Sequence, residues 1–230
     1  TATYQAYTAS LAYTLPVGDG TKTVSVCFKD PAGLTASTSA SITLDTADPT
    51  GTITMDSGAA YTGSQFVTLD FTADADVTGM ALANGAVLDC ATASYELYAT
   101  PRGWSLPSGD GTKTVTVCFQ DAAGRTGSAT DTIDLDTSDP GGTIDLASGA
   151  TYTTSSTVSV DLGFPNDTNG YALSDSAIDC AGATYTAVTV GDTSATAAYT
   201  LPAGDGTKTV VACLRDQSGL TSIGSDTIVL

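Results

Sequence analysis

The sequence contains no histidine, one tryptophan, two methionines and, apart from Glu96, no glutamate. Without histidine there is no Ser-His-Asp or Cys-His catalysis, and the commonest transition-metal ligand is missing. Basic residues are also scarce, 7 Lys and Arg against 25 Asp and Glu, which gives a net charge of −18. Such a chain cannot displace counterions from nucleic-acid phosphates or dock to anionic lipid, so neither nucleic acid nor a membrane surface is expected as a partner. No apolar run reaches the ~20 residues of a membrane-spanning helix, and Thr1-Ala2-Thr3-Tyr4 does not read as a signal peptide. These absences argue against an enzyme.

What is present is a β composition. Hydrophobic residues make up 41% and charged residues 14%, far from the signature of a disordered acidic segment. More than a quarter of the chain is Thr or Ser, and the long-chain helix formers are rare.

One heptapeptide occurs three times. Gly18-Asp19-Gly20-Thr21-Lys22-Thr23-Val24 returns at Gly109-Asp110-Gly111 to Val115 and at Gly204-Asp205-Gly206 to Val210. Each copy follows Leu-Pro (Leu15-Pro16, Leu106-Pro107, Leu201-Pro202), with Tyr13, Trp104 or Tyr199 two residues before that leucine. Each is followed by a cysteine, an Asp-x-x-Gly turn (Asp30, Asp121, Asp216) and a Thr-rich alternating stretch. A period near 90 is too long for a solenoid and fits tandem β-sandwich domains. Aligning the copies predicts three domains: residues 1–46 as the C-terminal half of one, 47–137 and 138–230 as complete ones. The half-domain is expected to need a missing N-terminal half, or another chain, to cover its sheet, and the sequence reads as a window from a longer protein.

The five cysteines fit this frame. Cys90 with Cys118 and Cys180 with Cys213 form one pair per complete repeat, while the partner of Cys27 would fall before Thr1. Pairing at regular spacing points to an oxidising compartment outside the cytoplasm. The alternative is buried free thiols, since cysteine packs as a small hydrophobe.

In the complete repeat at 49–137, strands are predicted at 52–55, 65–72, 78–83, 86–90, 95–98, 104–106, 111–119 and 128–135. The third and fourth of these would be a hairpin around Asn84-Gly85, a two-residue turn signal. Short strands, frequent turn signals and no helical periodicity together make an all-β fold of tandem immunoglobulin-like antiparallel sandwiches.

The run aromatic-x-Leu-Pro-x-Gly-Asp-Gly-Thr-Lys-Thr-Val-x-x-Cys, the Asp-x-x-Gly turn and the Leu-Asp-Thr-x-Asp-Pro junctions at Leu44–Pro49 and Leu135–Pro140 carry a resemblance. So do Gly79-Met80-x-x-x-Asn84 and Gly170-Tyr171-x-x-x-Asp175. They resemble the immunoglobulin-like or fibronectin-III-like tandem repeats of large bacterial surface proteins. The resemblance covers nearly the whole chain and implies a stalk, adhesin extender or fibre. Neighbouring repeats of the same protein, or identical subunits in a filament, would then be its partners.

Several motifs have a chemical and a structural reading. Gly-Asp-Gly-Thr-Lys-Thr lacks the Gly-Lys-Ser/Thr order of a phosphate loop and leads into a strand. It is read as a tight turn whose aspartate (Asp19, Asp110, Asp205) bonds its own backbone. Lys22, Lys113 and Lys208 are expected to pair with surface aspartates. Asp30, Asp121 and Asp216 are read as solvated turn residues with no reason to act as a catalytic acid.

No cofactor is expected except structural calcium, for which an Asp-rich, His-free chain offers oxygen ligands. The candidates are the junction pairs Asp45 with Asp48 and Asp136 with Asp139, and the loop Asp74-x-Asp76-x-Thr78-Gly79. Asp167-x-Asn169-Gly170 is its counterpart with fewer carboxylates. Asp74 to Gly79 imitates the opening of an EF-hand loop, but position twelve is Gly85, not Glu, and aspartate is in any case a turn residue. Asn166-Asp167-Thr168 is an N-glycosylation sequon. The sequence thus leads to a non-catalytic, extracellular repeat array at a cell surface; the alternative is an adhesin whose domain-end loops bind a glycan or partner cell.

Overall fold

Alternating apolar and polar residues in a Thr-rich chain set strands with one buried face, and two such faces must be stacked to exclude water. The computed structural model describes residues 3–230 and is all-β. Its strands are β1 (Gly20–Lys29), β2 (Thr35–Leu44), β3 (Gly51–Met55), β4 (Tyr61–Thr62), β5 (Phe66–Ala73), β6 (Val77–Asn84), β7 (Glu96–Leu97), β8 (Arg102–Ser105) and β9 (Gly111–Asp121). They continue with β10 (Thr126–Leu135), β11 (Thr143–Leu146), β12 (Thr157–Gly163), β13 (Thr168–Ser174), β14 (Thr186–Ala187), β15 (Ser194–Thr200), β16 (Thr207–Asp216) and β17 (Thr221–Val229). Among the described residues the helical content is three single turns of 3-10 type, at Asp56–Gly58, Ala147–Gly149 and Cys180–Gly182. No helix among the described residues is long and apolar enough to cross a membrane.

The middle repeat supplies sheets of order β3-β5-β8 and β4-β10-β9-β6-β7, and the third repeat β11-β12-β15 and β14-β13-β16-β17. The two orders match strand for strand, apart from β4, whose place in the third repeat is taken by a single bridge from Tyr152 to Val229. The chain forms two compact units. One consists of the stretch ending at Ile53 with Phe71–Pro101 and Val115–Thr130, the other of Thr54–Asp70, Arg102–Thr114 and Asp131–Leu230. The division runs through β3, β5, β9 and β10, so both units take strands from the middle repeat.

The third repeat shows how its sandwich is filled. Every second residue of β12, namely Val158, Val160 and Leu162, is buried, and so are Val210, Ala212 and Leu214 of β16. These two rows meet with Leu146, Phe164, Leu201 and Ile228 in one core. In the middle repeat the equivalent rows are Val67, Leu69 and Phe71 on β5 and Val115, Val117 and Phe119 on β9. Phe71 and Phe119 pack edge to face, with ring centroids 6.5 Å apart.

The hairpin predicted around Asn84-Gly85 does not form. β6 pairs with β9 along one edge and with β7 at Gly79 and Met80 on the other, and residues 86–90 do not pair with the remainder of β6. They cross instead over the outer face of β9, where the Thr116 hydroxyl donates to the Gly85 carbonyl at 2.6 Å and Cys90 is bonded to Cys118. That covering explains why Thr116 and Cys118 are buried although they face away from the core.

Two glycines are fixed by close approach. A Cβ on Gly51 would lie 2.5 Å from the Phe119 ring and from the Thr72 carbonyl oxygen, and one on Gly142 would lie 2.1 Å from Leu214 and 2.7 Å from the Gly163 carbonyl oxygen. Phe119 and Leu214 occupy the same place in their repeats, so both glycines let the incoming strand cross the end of the core. Gly51→Ala and Gly142→Ala should each destabilise by about 1–3 kcal/mol, the usual cost of overpacking, measured by denaturant unfolding. Leu146→Ala, which leaves a cavity at a side chain with 0% exposure, should cost about 2–5 kcal/mol in the same assay.

Candidate functional site: aspartates, disulfides and the junctions

The recurring polar residues serve the backbone. Cys90 is joined to Cys118 and Cys180 to Cys213, with Cα atoms 5.5 and 5.6 Å apart, while Cys27 is free and exposed on β1. Closing loops of 28 and 33 residues corresponds to about 3.6 kcal/mol per bridge on the chain-entropy account. Beside each bridge a tyrosine reaches back five residues. The Tyr95 hydroxyl donates to the Cys90 carbonyl at 2.8 Å, and that of Tyr185 to the Cys180 carbonyl at 2.7 Å. Burial raises the pKa of both phenols, so they remain donors.

The Gly-Asp-Gly turns have the expected left-handed glycines, with φ of 87° and 106° at Gly18 and Gly20, 84° and 104° at Gly109 and Gly111, and 93° and 116° at Gly204 and Gly206. Their aspartates act differently from the sequence reading. Asp19 and Asp110 do not bond their own turn; they reach the start of the next junction. Asp19 Oδ1 accepts from the Thr46 amide at 2.9 Å and its hydroxyl at 2.7 Å. Asp110 Oδ1 accepts from the Thr137 amide and hydroxyl, both at 2.8 Å, and its Oδ2 from the Ser138 hydroxyl at 2.8 Å. Because β1 and β9 begin beside the ends of β2 and β10, the turn aspartate is next to the departing chain and not over its own loop.

The first junction is held from its far side as well. The Thr50 amide and hydroxyl donate to Asp74 Oδ2 at 2.7 and 2.9 Å, and Arg125 forms an ion pair with Asp48 at 2.5 Å. At the second junction the Ser222 hydroxyl donates to the Pro140 carbonyl. Lys208 donates to the Ala203 carbonyl at 3.3 Å, and the charge of Lys113 adds a small contribution to the lowered pKa of Asp110.

The Asp-x-x-Gly turns need a second correction. Asp30 is exposed, but Asp121 and Asp216 are buried, at 3% and 0% exposure, and are not solvated turn residues. In each, Oδ1 accepts from the backbone amide four residues on, Leu34, Arg125 or Leu220, at 2.8–2.9 Å. The strand residue to which each belongs alternates onto the core face, which draws the carboxylate inward in the two repeats that have a second sheet.

Of the calcium candidates, Asp45 accepts the Ala47 amide, Asp136 the Ser138 amide, Asp48 is paired with Arg125, and Asp74 with Thr50. Asn169 Oδ1 accepts from Arg215 Nε at 3.2 Å. Among the described residues, no three acidic or cysteine side chains gather into a group able to hold a metal ion, so the structure does not bring Asp139 or Asp76 together with two further carboxylates. Asn166 is exposed in the loop before β13, but its sequon threonine, Thr168, has 0% exposure.

Sequence reasoning missed Asp131 and Asp226. The amides of Met55 and Leu146, each preceding a left-handed turn, donate to Asp131 Oδ2 and Asp226 Oδ2 at 2.7 and 2.8 Å. The signal was present in the recurrence of Asp-Thr-Ile at 131–133 and 226–228.

No protein-family model matches the chain, and no curated protein does. Similar solved structures include the fibronectin(III)-like modules of Clostridium thermocellum CbhA, at 12% identity over 77% of this chain and 93% of that one, with a TM-score of 0.45. A tetra-tandem repeat in the extending region of a large adhesion protein is 20% identical over 91% of this chain and 57% of that one, with a TM-score of 0.30. A 1.5-MDa bacterial ice-binding adhesin is 18% identical over 92% and 74%, with a TM-score of 0.39. At these identities and scores the likeness carries no argument about ligand or activity.

The clamps are sensitive to acid. Hydrogen bonds from Thr137 lower the pKa of Asp110, and those from Thr50 lower that of Asp74, below the ordinary 3.8. A carboxylate depressed in the folded state contributes stability that is complete above its unfolded pKa and is lost as pH falls through the lower folded value. The clamps should therefore hold at neutral pH and open only below about pH 4. Asp110→Asn should reduce that dependence in a series of melting curves from pH 6 to pH 2.

Proposed function

We propose that this chain is a structural, non-catalytic segment of an extracellular repeat array that spaces or stiffens a bacterial surface protein as a stalk, spacer or fibre. The observation that carries the reading is the pinning of the junctions. Asp19, Asp110, Asp74 and Arg125, which a binding site would need free, are bonded to Thr46, Thr137, Thr50 and Asp48 on the connecting segments. A proline with fixed φ follows Asp48 and Asp139, which removes further freedom. Two disulfides support an oxidising surroundings. The −18 charge supports it too, since self-repulsion keeps a long array soluble without a basic partner.

Asp110→Ala removes three hydrogen bonds at the second junction without touching a core. Small-angle scattering should then show a broader distribution of interatomic distances, and limited proteolysis should cut near residues 137–140 where the wild type is resistant. Unchanged scattering and unchanged digestion would refute the spacer reading.

One observation favours a second reading, an adhesin that binds a glycan. Phe66, at the start of β5, is 77% exposed, and the equivalent place in the third repeat is Thr157. An aromatic face presented by one repeat only is what a sugar ring would stack on. Glycan-array binding lost in Phe66→Ala would establish it.

A further inference from the structure

A sandwich has edges where its sheets stop, and a strand there carries a row of backbone donors and acceptors with no neighbouring strand. In the third repeat the edge strands are β11, β14, β15 and β17. β14 has only two residues. β11 and β17 are laced together, the Leu146 amide donating to Asp226 Oδ2 at 2.8 Å and the Ser222 hydroxyl to the Pro140 carbonyl. The end of β17 is closed as well, since the Thr153 amide donates to the Val229 carbonyl and the Val229 amide to the Thr151 carbonyl. β15 is different. It runs for seven residues, Ser194–Thr200, and among the described residues β12 is its one neighbouring strand.

Which groups reach that edge follows from the register. The Leu201 amide donates to the Ser156 carbonyl and the Phe164 amide to the Thr193 carbonyl, and the pairing between these ends has no shift. Bonded residues alternate along an antiparallel pair, so Ala195, Ala197 and Tyr199 turn their N–H and C=O toward β12. Ser194, Thr196, Ala198 and Thr200 turn theirs to the free edge. Residues 194–200 include no charge and no proline, the usual guards of an exposed edge. The middle repeat is guarded at this place: β8 has four residues, follows Pro101 and opens on Arg102, and its outward residues are Gly103 and Ser105. The sequence separation of the bridged cysteines is 28 there and 33 in the third repeat, and the added residues lie between β14 and the end of β15.

We propose that β15 is an interface between two copies of this chain, which pair it antiparallel about a two-fold axis and join two three-stranded sheets into one. The alternation fixes the register. With Ala197 on the axis, Thr196 faces Ala198 of the second copy and Ser194 faces Thr200, so the outward N–H and C=O groups of each strand meet those of the other. The pairing sets no like charges opposite one another. Over most of its surface a chain of net charge −18 repels its own copies, and an uncharged strand is where two of them approach at least cost. On the core side Ala195 and Tyr199, half-buried opposite Leu162 and Val158, face each other across the axis, so each covers what the other leaves exposed. The inference goes beyond the spacer reading, which concerns connections along one chain and does not depend on this edge.

The test is sedimentation equilibrium of the 230-residue chain over a range of concentrations at low and high salt, with Cys27→Ser in every sample so that the exposed thiol forms no dimer. The mass should rise with concentration toward twice that of the monomer, more steeply at high salt, where the charge repulsion is screened. Ala198→Pro removes an amide that β12 does not use; it should weaken association about tenfold or more and leave the melting curve in place. Ala197→Cys, on the axis, should give a disulfide-linked dimer under mild oxidation, and Ala195→Cys, opposite Tyr199, should not. That pair of variants decides the matter if Ala198→Pro also loses stability. A chain that stays monomeric throughout, a stable Ala198→Pro that associates like its parent, or no linked dimer from Ala197→Cys overturns the proposal and leaves the edge to an extended segment of a different protein.

Discussion

A strand that ends must leave its last amides bonded to something, and in this chain the acceptor is repeatedly a short carboxylate. A carboxylate one methylene from the backbone reaches an amide two to four residues away, or the next segment, without ordering a long side chain. Asp121 and Asp216 close the hairpins β9–β10 and β16–β17, Asp131 and Asp226 hold the amides before the left-handed turns, and Asp19 and Asp110 hold the departing junctions. Glutamate would carry the same charge with one more rotatable bond to freeze. The nearly exclusive use of aspartate follows from that geometry, and the large negative charge follows from the number of turns.

The same requirement joins fold to proposed role. A junction held only by chain connectivity would be a swivel. Here the clamps on the first junction come from both sides of Asp48-Pro49, and those on the second from Asp110 and Ser222. Each exposed hydrogen bond is modest by itself, about 1 kcal/mol, but several acting on six residues restrict one hinge together. A spacer of the kind proposed would need stable modules, covalently stapled, with connections that do not bend freely.

Much of the architecture was legible because the sequence repeats. The alternation in residues 65–72 and 111–119 gave the central strands, and the spacing of cysteines indicated which would meet. The hairpin at Asn84-Gly85 was misread because turn propensity is local, whereas residues 85–90 are held over β9 by Thr116 and by the bond from Cys90 to Cys118. The turn aspartates were misassigned for a similar reason. Nothing in Gly-Asp-Gly states that Thr46 or Thr137, 27 residues on, will lie beside it.

The heptapeptide Gly-Asp-Gly-Thr-Lys-Thr-Val separates what sequence determines from what it does not. In all its copies it gives a left-handed glycine turn running into a strand, because φ preference and β-branched side chains act on the residues that carry them. Burial is another matter. Phe119 and Cys118 have 0% exposure on β9, whereas Phe28 is 45% exposed and Cys27 is free on β1, in an almost identical strand. Among the described residues β1 and β2 form a sheet of two strands, with no second sheet stacked on them as β3-β5-β8 supplies for β9. Local chemistry chose the strand, and only the tertiary structure, by bringing or not bringing an opposing apolar face, decided whether that strand became a core.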